Sequence, residues 1–168
     1  LAYPGKETPN GPATAGLVIA ALRDKAPIHV DVIGVGTAVY DFLEEAGQQA
    51  LGVNVAEKAT RKDKSGRLSF RNLRSQLWWL MREALDPDAN TGIALPPDKR
   101  LLADLCTPTW KLQGAEVYVE SREDIVKKLG RSPDYASAYC LALMDSPKRQ
   151  ELLDRITRGR TYDPYRNL

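Results

Sequence analysis

Apolar positions along the chain fall into short segments of two periodicities. Residues 14–25 carry Leu17, Val18, Ala21 and Leu22 at helical spacing, and residues 37–46 form a second helical segment after a glycine turn. Between them, residues 27–33 form an apolar run too short for a helix and β-branched enough for a buried strand. Residues 51–55 predict another strand. Residues 1–3 read as the end of an earlier strand and residues 4–12 as a turn-rich connection. The order strand, helix, strand, helix, strand implies parallel pairing with helices packed on the sheet.

In the second half, residues 58–70 predict a polar loop or a small exposed hairpin around Ser65-Gly66. An amphipathic helix follows, with Leu73, Leu77, Leu80, Met81 and Ala84 on one face and with Trp78 and Trp79 expected in the packed interior. Pro96-Pro97 interrupt the chain before a helix at 99–106. Residues 110–112 and 116–120 predict two strands joined at Gln113-Gly114 as a hairpin. Ser121 with Asp124 predicts a capped helix start, and that helix should end near Gly130. Ser132-Pro133-Asp134 predicts another, with Ser132 as cap, proline at the first helical position and an end near residue 145. One domain over residues 1–147 is expected, followed by a charged tail over 148–168.

Composition narrows the class. A chain of 168 residues with 43% hydrophobic and 27% charged residues has room for one ordinary globular core. No apolar run approaches bilayer length and no signal peptide is visible, so a cytoplasmic location and no membrane partner are expected. Cys106 and Cys140 are expected as buried small hydrophobes. One histidine, His29, makes a histidine-based nucleophile or a zinc site a poor fit. The net charge of +2 conceals a segregated segment: residues 57–74 hold seven basic residues against Glu57 and Asp63, a local charge of +5. Such a segment fits either a polyanion footprint or a solvated loop.

Asp31 is the most informative single residue. It interrupts the apolar sequence His29-Val30-Asp31-Val32-Ile33 just before Gly34-Val35-Gly36. A carboxylate in a buried strand needs a partner or a metal, and ligand sites of open α/β sheets form at the carboxyl ends of strands. Capping of the next turn is the alternative. Gly34-Val35-Gly36 lacks the third glycine of a dinucleotide fingerprint, Val39 standing there, and the chain has no phosphate-binding P-loop, so no nucleotide cofactor is expected. Asp134 would suit the helix dipole at a first turn, and it would also suit a hard divalent cation if the fold brought it to Asp31.

Four segments in order carry a resemblance: Val30-Asp31-Val32-Ile33-Gly34-Val35-Gly36, Gly52-Val53-Asn54-Val55, Asn72-Leu73-Arg74-Ser75-Gln76-Leu77-Trp78 and Arg131-Ser132-Pro133-Asp134. Together they resemble the C-terminal nuclease domain of phage terminase large subunits. The resemblance implies an α/β, RNase H-like mixed sheet flanked by helices. It also implies a two-metal-ion endonuclease using Mg²⁺ or Mn²⁺ to cut concatemeric double-stranded DNA during genome packaging, with Asp31 and Asp134 as catalytic metal ligands. The ATPase domain, the small terminase subunit and the portal are the implied partners. Arg61, Lys62, Lys64 and Arg67 are the expected DNA contacts, with Lys127 and Lys128 more simply explained as solvated positions.

The sequence departs from the family pattern twice. The family's further aspartate, on a first strand, would lie before Leu1, so the chain reads as a domain lacking its first strand, with weak or absent activity. Glu7 and Asp24 are poor substitutes. Ser137 stands where some relatives carry another acid. A non-catalytic DNA-binding or portal-docking module, or a resolvase or transposase of the same fold, are the rival functions.

Overall fold

The computed structural model describes residue 3, residues 5–23 and residues 26–144. The expected strand end at residues 1–3 and the tail at 148–168 therefore lie outside the described residues, apart from Tyr3. Among the described residues no helix is long and apolar enough to cross a membrane.

The first half is a small α/β unit. Helix α1 spans Gly11–Ala21, earlier than the apolar spacing alone predicts, because the Asn10 side chain accepts a hydrogen bond from the Ala13 amide and Pro12 fits the first turn. Strand β1 (Ile28–Asp31) is joined through helix α2 (Gly36–Glu45) to strand β2 (Ala50–Val53). The two strands pair in parallel, with Asp31 opposite Val53. Ala15, Ile28 and Leu43 form the core of this unit.

Two glycines make the β1–α2 connection feasible. Gly34 takes φ +76°, a left-handed conformation that costs glycine little. Gly36 opens α2 so close to β1 that a β-carbon there would stand 1.7 Å from the Asp31 carbonyl oxygen. The Gly-Val-Gly sequence is thus a tight turn, as expected.

The second half is built on helix α3 (Leu73–Ala84), capped by the Asn72 side chain, which accepts from the Ser75 amide. Leu73, Leu77, Trp78 and Met81 enter a core completed by Val53, Leu101, Ala136 and Cys140. Trp79 faces the other way, onto Phe70 and Val117. Both tryptophans are buried, as expected. Helix α4 (Lys99–Cys106) and the antiparallel hairpin of β4 (Trp110–Gln113) and β5 (Glu116–Val119) form where predicted, with Gly114 at φ +60° in the turn. Helix α5 (Arg122–Leu129) starts on the Ser121 cap and stops at Gly130, φ +70°.

Several expectations are corrected. Of the two readings of residues 58–70 the loop holds and the hairpin does not, with an unexpected strand at its end: the Asp63 carboxylate accepts the Arg67 and Leu68 amides, closing a loop that ends in strand β3 (Ser69–Phe70), and β3 pairs in parallel with β5. The described strands accordingly lie in two sheets, β1-β2 and the mixed β3-β5-β4. Helix α6 (Asp134–Ala142) has Pro133 rather than Ser132 at its cap position, and it ends before residue 145. Cys106 is exposed, and only Cys140 is buried.

Replacing Gly36 with alanine should lower stability by about 1–3 kcal/mol, because the clash is with backbone and not with a side chain that can swing away. Urea unfolding of Gly36→Ala against the parent checks this; an unchanged midpoint would contradict so close an approach.

Candidate functional site

A cleft of about 960 Å³ lies between the two halves of the described fold. It falls within the size range of small-ligand sites. Asp31 reaches it from the end of β1, Arg74 from α3, Arg122 from α5, and Asp134 and Ser137 from α6. Helix α6 also packs against β1, so the two sequence-predicted acids belong to neighbouring elements.

Asp31 is exposed rather than buried: along β1 burial declines from Ile28 to Asp31. The cost of desolvating a charge in a strand is therefore not what marks this residue, and that expectation is corrected. What remains is its place at the carboxyl end of a parallel strand, open to the cleft. Its Oδ1 accepts the Ile33 amide at 3.1 Å, so the turn-capping alternative also holds for one of the two oxygens.

Asp134 sits in the first turn of α6 with a side chain 73% exposed. Ser132 donates its hydroxyl to Asp134 Oδ1, and the Arg122 guanidinium lies 3.7 Å from the same oxygen. Arg122 also donates to Ser132 Oγ through Nε (3.1 Å) and Nη2 (2.7 Å). Arg122 is thus a cation held at the candidate site that sequence reasoning did not single out. Its position three residues past the end of β5 was visible in the sequence, but its contact with Asp134 depends on how α5 returns to α6.

The floor of the cleft is ordered by Arg74. Its Nη1 donates to the Glu120 carbonyl at 2.5 Å, and its guanidinium lies 5.5 Å from the Trp78 ring centroid. Burial lowers its pKa from the usual value, opposed by nearby Cys140 and Glu123. Beside it, Glu120 is held below the ordinary carboxylate range by a hydrogen bond from Lys128 and by the Thr109 amide. Lys128 and Lys127 are committed to Glu120 (2.6 Å) and Asp124 (2.7 Å), which favours a role in the α5 surface over one in binding.

The basic segment is better ordered than its composition suggests. Gln76, buried in α3, accepts the Thr60 and Arg61 amides at 2.7 and 2.9 Å, and Glu83 accepts the Lys64 amide. Arg61, Lys62 and Arg67 are exposed along this pinned loop. Lys64 is paired with Asp86 at 2.8 Å and has its pKa raised by that pairing. None of these four lines the cleft, whereas Arg71 and Lys111 do. Arg71 lies over the Tyr118 ring, and Lys111 is the cross-strand partner of Tyr118.

Among the described residues no group of three or more His, Cys, Asp or Glu side chains is arranged to hold a metal ion. Two carboxylates on one cleft do suit an ion such as Mg²⁺, which keeps several waters and takes one or two protein carboxylates together with substrate phosphates. Glu7 lies on a short 3₁₀ turn, and Asp24 is outside the described residues.

With this geometry established, the chain superimposes on the nuclease domain of the large terminase subunit gp2 of bacterial virus Sf6 with a TM-score of 0.54. The chain has the fold of a phage terminase nuclease domain. The likeness covers 81% of this chain and 71% of the Sf6 domain at 19% identity. The K428A mutant of that domain, solved with manganese and β-thujaplicinol, matches equally well. No protein-family model and no curated protein matches the chain. The fold class is thus α/β and RNase H-like, as the four segments implied.

The two cysteines offer a check on the packing beneath the cleft. Burial pushes the Cys140 thiol from 9.0 up to about 12. One thiol per native chain, that of Cys106, should react with a thiol reagent at pH 8, and two after unfolding. The unfolded chain loses the Cys140 proton from about pH 9, while the folded chain keeps it until about 12. Stability should therefore fall as pH rises through that window, and Cys140→Ala should flatten this part of the profile.

Proposed function

We propose that this chain is a metal-dependent endonuclease domain that cuts double-stranded DNA during phage genome packaging, with water as the nucleophile. The observation that carries the reading is the opening of Asp31 and Asp134 onto one cleft, in a fold shared with a terminase nuclease domain. Asp31 and Asp134 would hold Mg²⁺ or Mn²⁺, which when bound supplies charge stabilisation at the phosphate and an activated water. The similar Sf6 domain was solved with manganese, in keeping with that choice. The terminase ATPase domain, the small subunit and the portal are the partners that go with this role.

The chain's own residues have separate tasks. Arg122 neutralises Asp134 and, with phosphate in the cleft, offers that anion a second cation. Arg71 and Lys111 extend positive charge along the cleft. Arg61, Lys62 and Arg67 add a sequence-independent hold on the DNA backbone further out. Lys64 contributes less, since its charge is already matched by Asp86.

Two measurements test this. In a supercoiled-plasmid assay with Mn²⁺, this chain should nick DNA weakly or not at all and a longer one extended upstream should nick it, and both Asp31→Asn and Asp134→Asn should abolish the nicking in whichever is active. Duplex binding that persists without any cutting, in this chain and in a longer one extended upstream, would favour a DNA-binding packaging module instead. Separately, replacing Arg61, Lys62 and Arg67 together by alanine should weaken binding to any duplex sequence. The slope of log K against log salt should shrink by about 0.9 for each DNA phosphate that the variant no longer neutralises. An unchanged slope would remove the loop from the DNA path.

A further inference from the structure

The α5–α6 connection that delivers Asp134 is anchored from below by a buried carboxylate outside the cleft. Asp104, on α4, is 0% exposed. Its Oδ1 lies 2.6 Å from Arg131 Nη1, and its Oδ2 accepts the Ala136 amide in the first turn of α6 at 3.4 Å. The Arg131 contact is ionic, off the direction of a directed hydrogen bond. Arg131 also donates to the carbonyls of Ser132 (3.1 Å) and Arg100 (3.3 Å). One charge pair, its carboxylate buried and its guanidinium 36% exposed, therefore ties α4 to both sides of Asp134, at Arg131–Ser132 before it and at Ala136 after it. Pro133, fully buried, removes the remaining slack.

A fully buried carboxylate is costly, and an apolar residue of similar size would pack α4 against α6 with less desolvation. Stability alone is thus a weak reason for Asp104. Its three-way linkage restricts where the first turn of α6 can sit, and a metal ligand is effective only when held within about 0.5 Å of its working geometry. We infer that Asp104, through Arg131 and the Ala136 amide, is a positioning residue that fixes the Asp134 carboxylate at the cleft. This rests on the reading of Asp134 as a metal ligand.

The test compares Asp104→Asn with the double variant Asp104→Leu/Arg131→Met, which replaces the pair by apolar groups and keeps the experiment interpretable where the single variant folds poorly. The first readout is ¹⁵N relaxation of the Ser132, Asp134 and Tyr135 amides in the metal-free protein. Their order parameters should fall from about 0.85 toward 0.6 in both variants, while those of α3 stay unchanged. The second is Mn²⁺ affinity by calorimetry, which should weaken about tenfold or more, as for other groups that orient metal ligands. A double variant that unfolds at the parent's urea midpoint, keeps these amides rigid and binds Mn²⁺ as the parent does would overturn the proposal and leave the pair a packing element. Asp134→Asn separates the two readings: unaltered Mn²⁺ binding there refutes Asp134 as a ligand, while the amide relaxation still decides whether Asp104 fixes its position.

Discussion

A helix buried on nearly every side must find partners for its polar side chains inside the protein, and α3 meets this requirement in a way that orders both halves of the fold. Its first amides, of Leu73 and Arg74, donate to the carbonyls of Glu57 and Val55, just past β2. Ser75 Oγ accepts the Val119 amide at the end of β5. Gln76 accepts two amides of the basic loop, and Arg74 donates to Glu120 at the start of the α5 connection. A buried polar group left without a partner costs about 1–3 kcal/mol, so each hydrogen bond restricts where its neighbour can lie. The parallel pair β1-β2 and the mixed sheet β3-β5-β4 are joined through this helix.

The candidate site follows from that arrangement. Asp31 is placed by β1 and by the glycine turn that brings α2 against its carbonyl. Asp134 is placed by α6, which packs on α3, α4 and β1 together. The cleft between them is floored by Arg74 and walled by the β4-β5 hairpin, so positive charge lies beside the two acids. This mixture suits an anionic substrate approaching carboxylates that would otherwise repel it. The charges above the site are exposed and screened by salt, while those beneath it, half-buried Arg74 and buried Asp104, act by fixing geometry.

Much of this organisation was legible in the sequence. Periodicity located α3 and α4, capping residues located α5, and Gly114 located the hairpin, because these signals act within a few residues of one another. The two candidate acids were singled out by place as much as by pattern: one ends a strand, the other opens a helix. Burial was the wrong reason for choosing Asp31, since a strand four residues long carries its last side chain into solvent at the sheet's edge. Cys106 was misjudged for a similar reason, lying on the outer side of a short helix whose inner face holds Leu101 and Asp104.

Other features had no local signal. Strand β3 is two residues long and exists only because β5 offers its carbonyls, so no window around Ser69 could announce it. The loop at 58–70 is polar in composition but ordered by Gln76 and Asp63, through hydrogen bonds set by where α3 lies. Asp104 looks in sequence like one more charge on an amphipathic helix, and its partner Arg131 lies beyond the hairpin and α5, in the connection to α6. The sequence by itself determined most of the helices, the hairpin, several caps and turns, and the choice of two candidate acids. The tertiary structure decided which of them share a cleft, which cations stand beside them and which charge is buried underneath, because those depend on residues that are far apart along the chain and meet only when it folds.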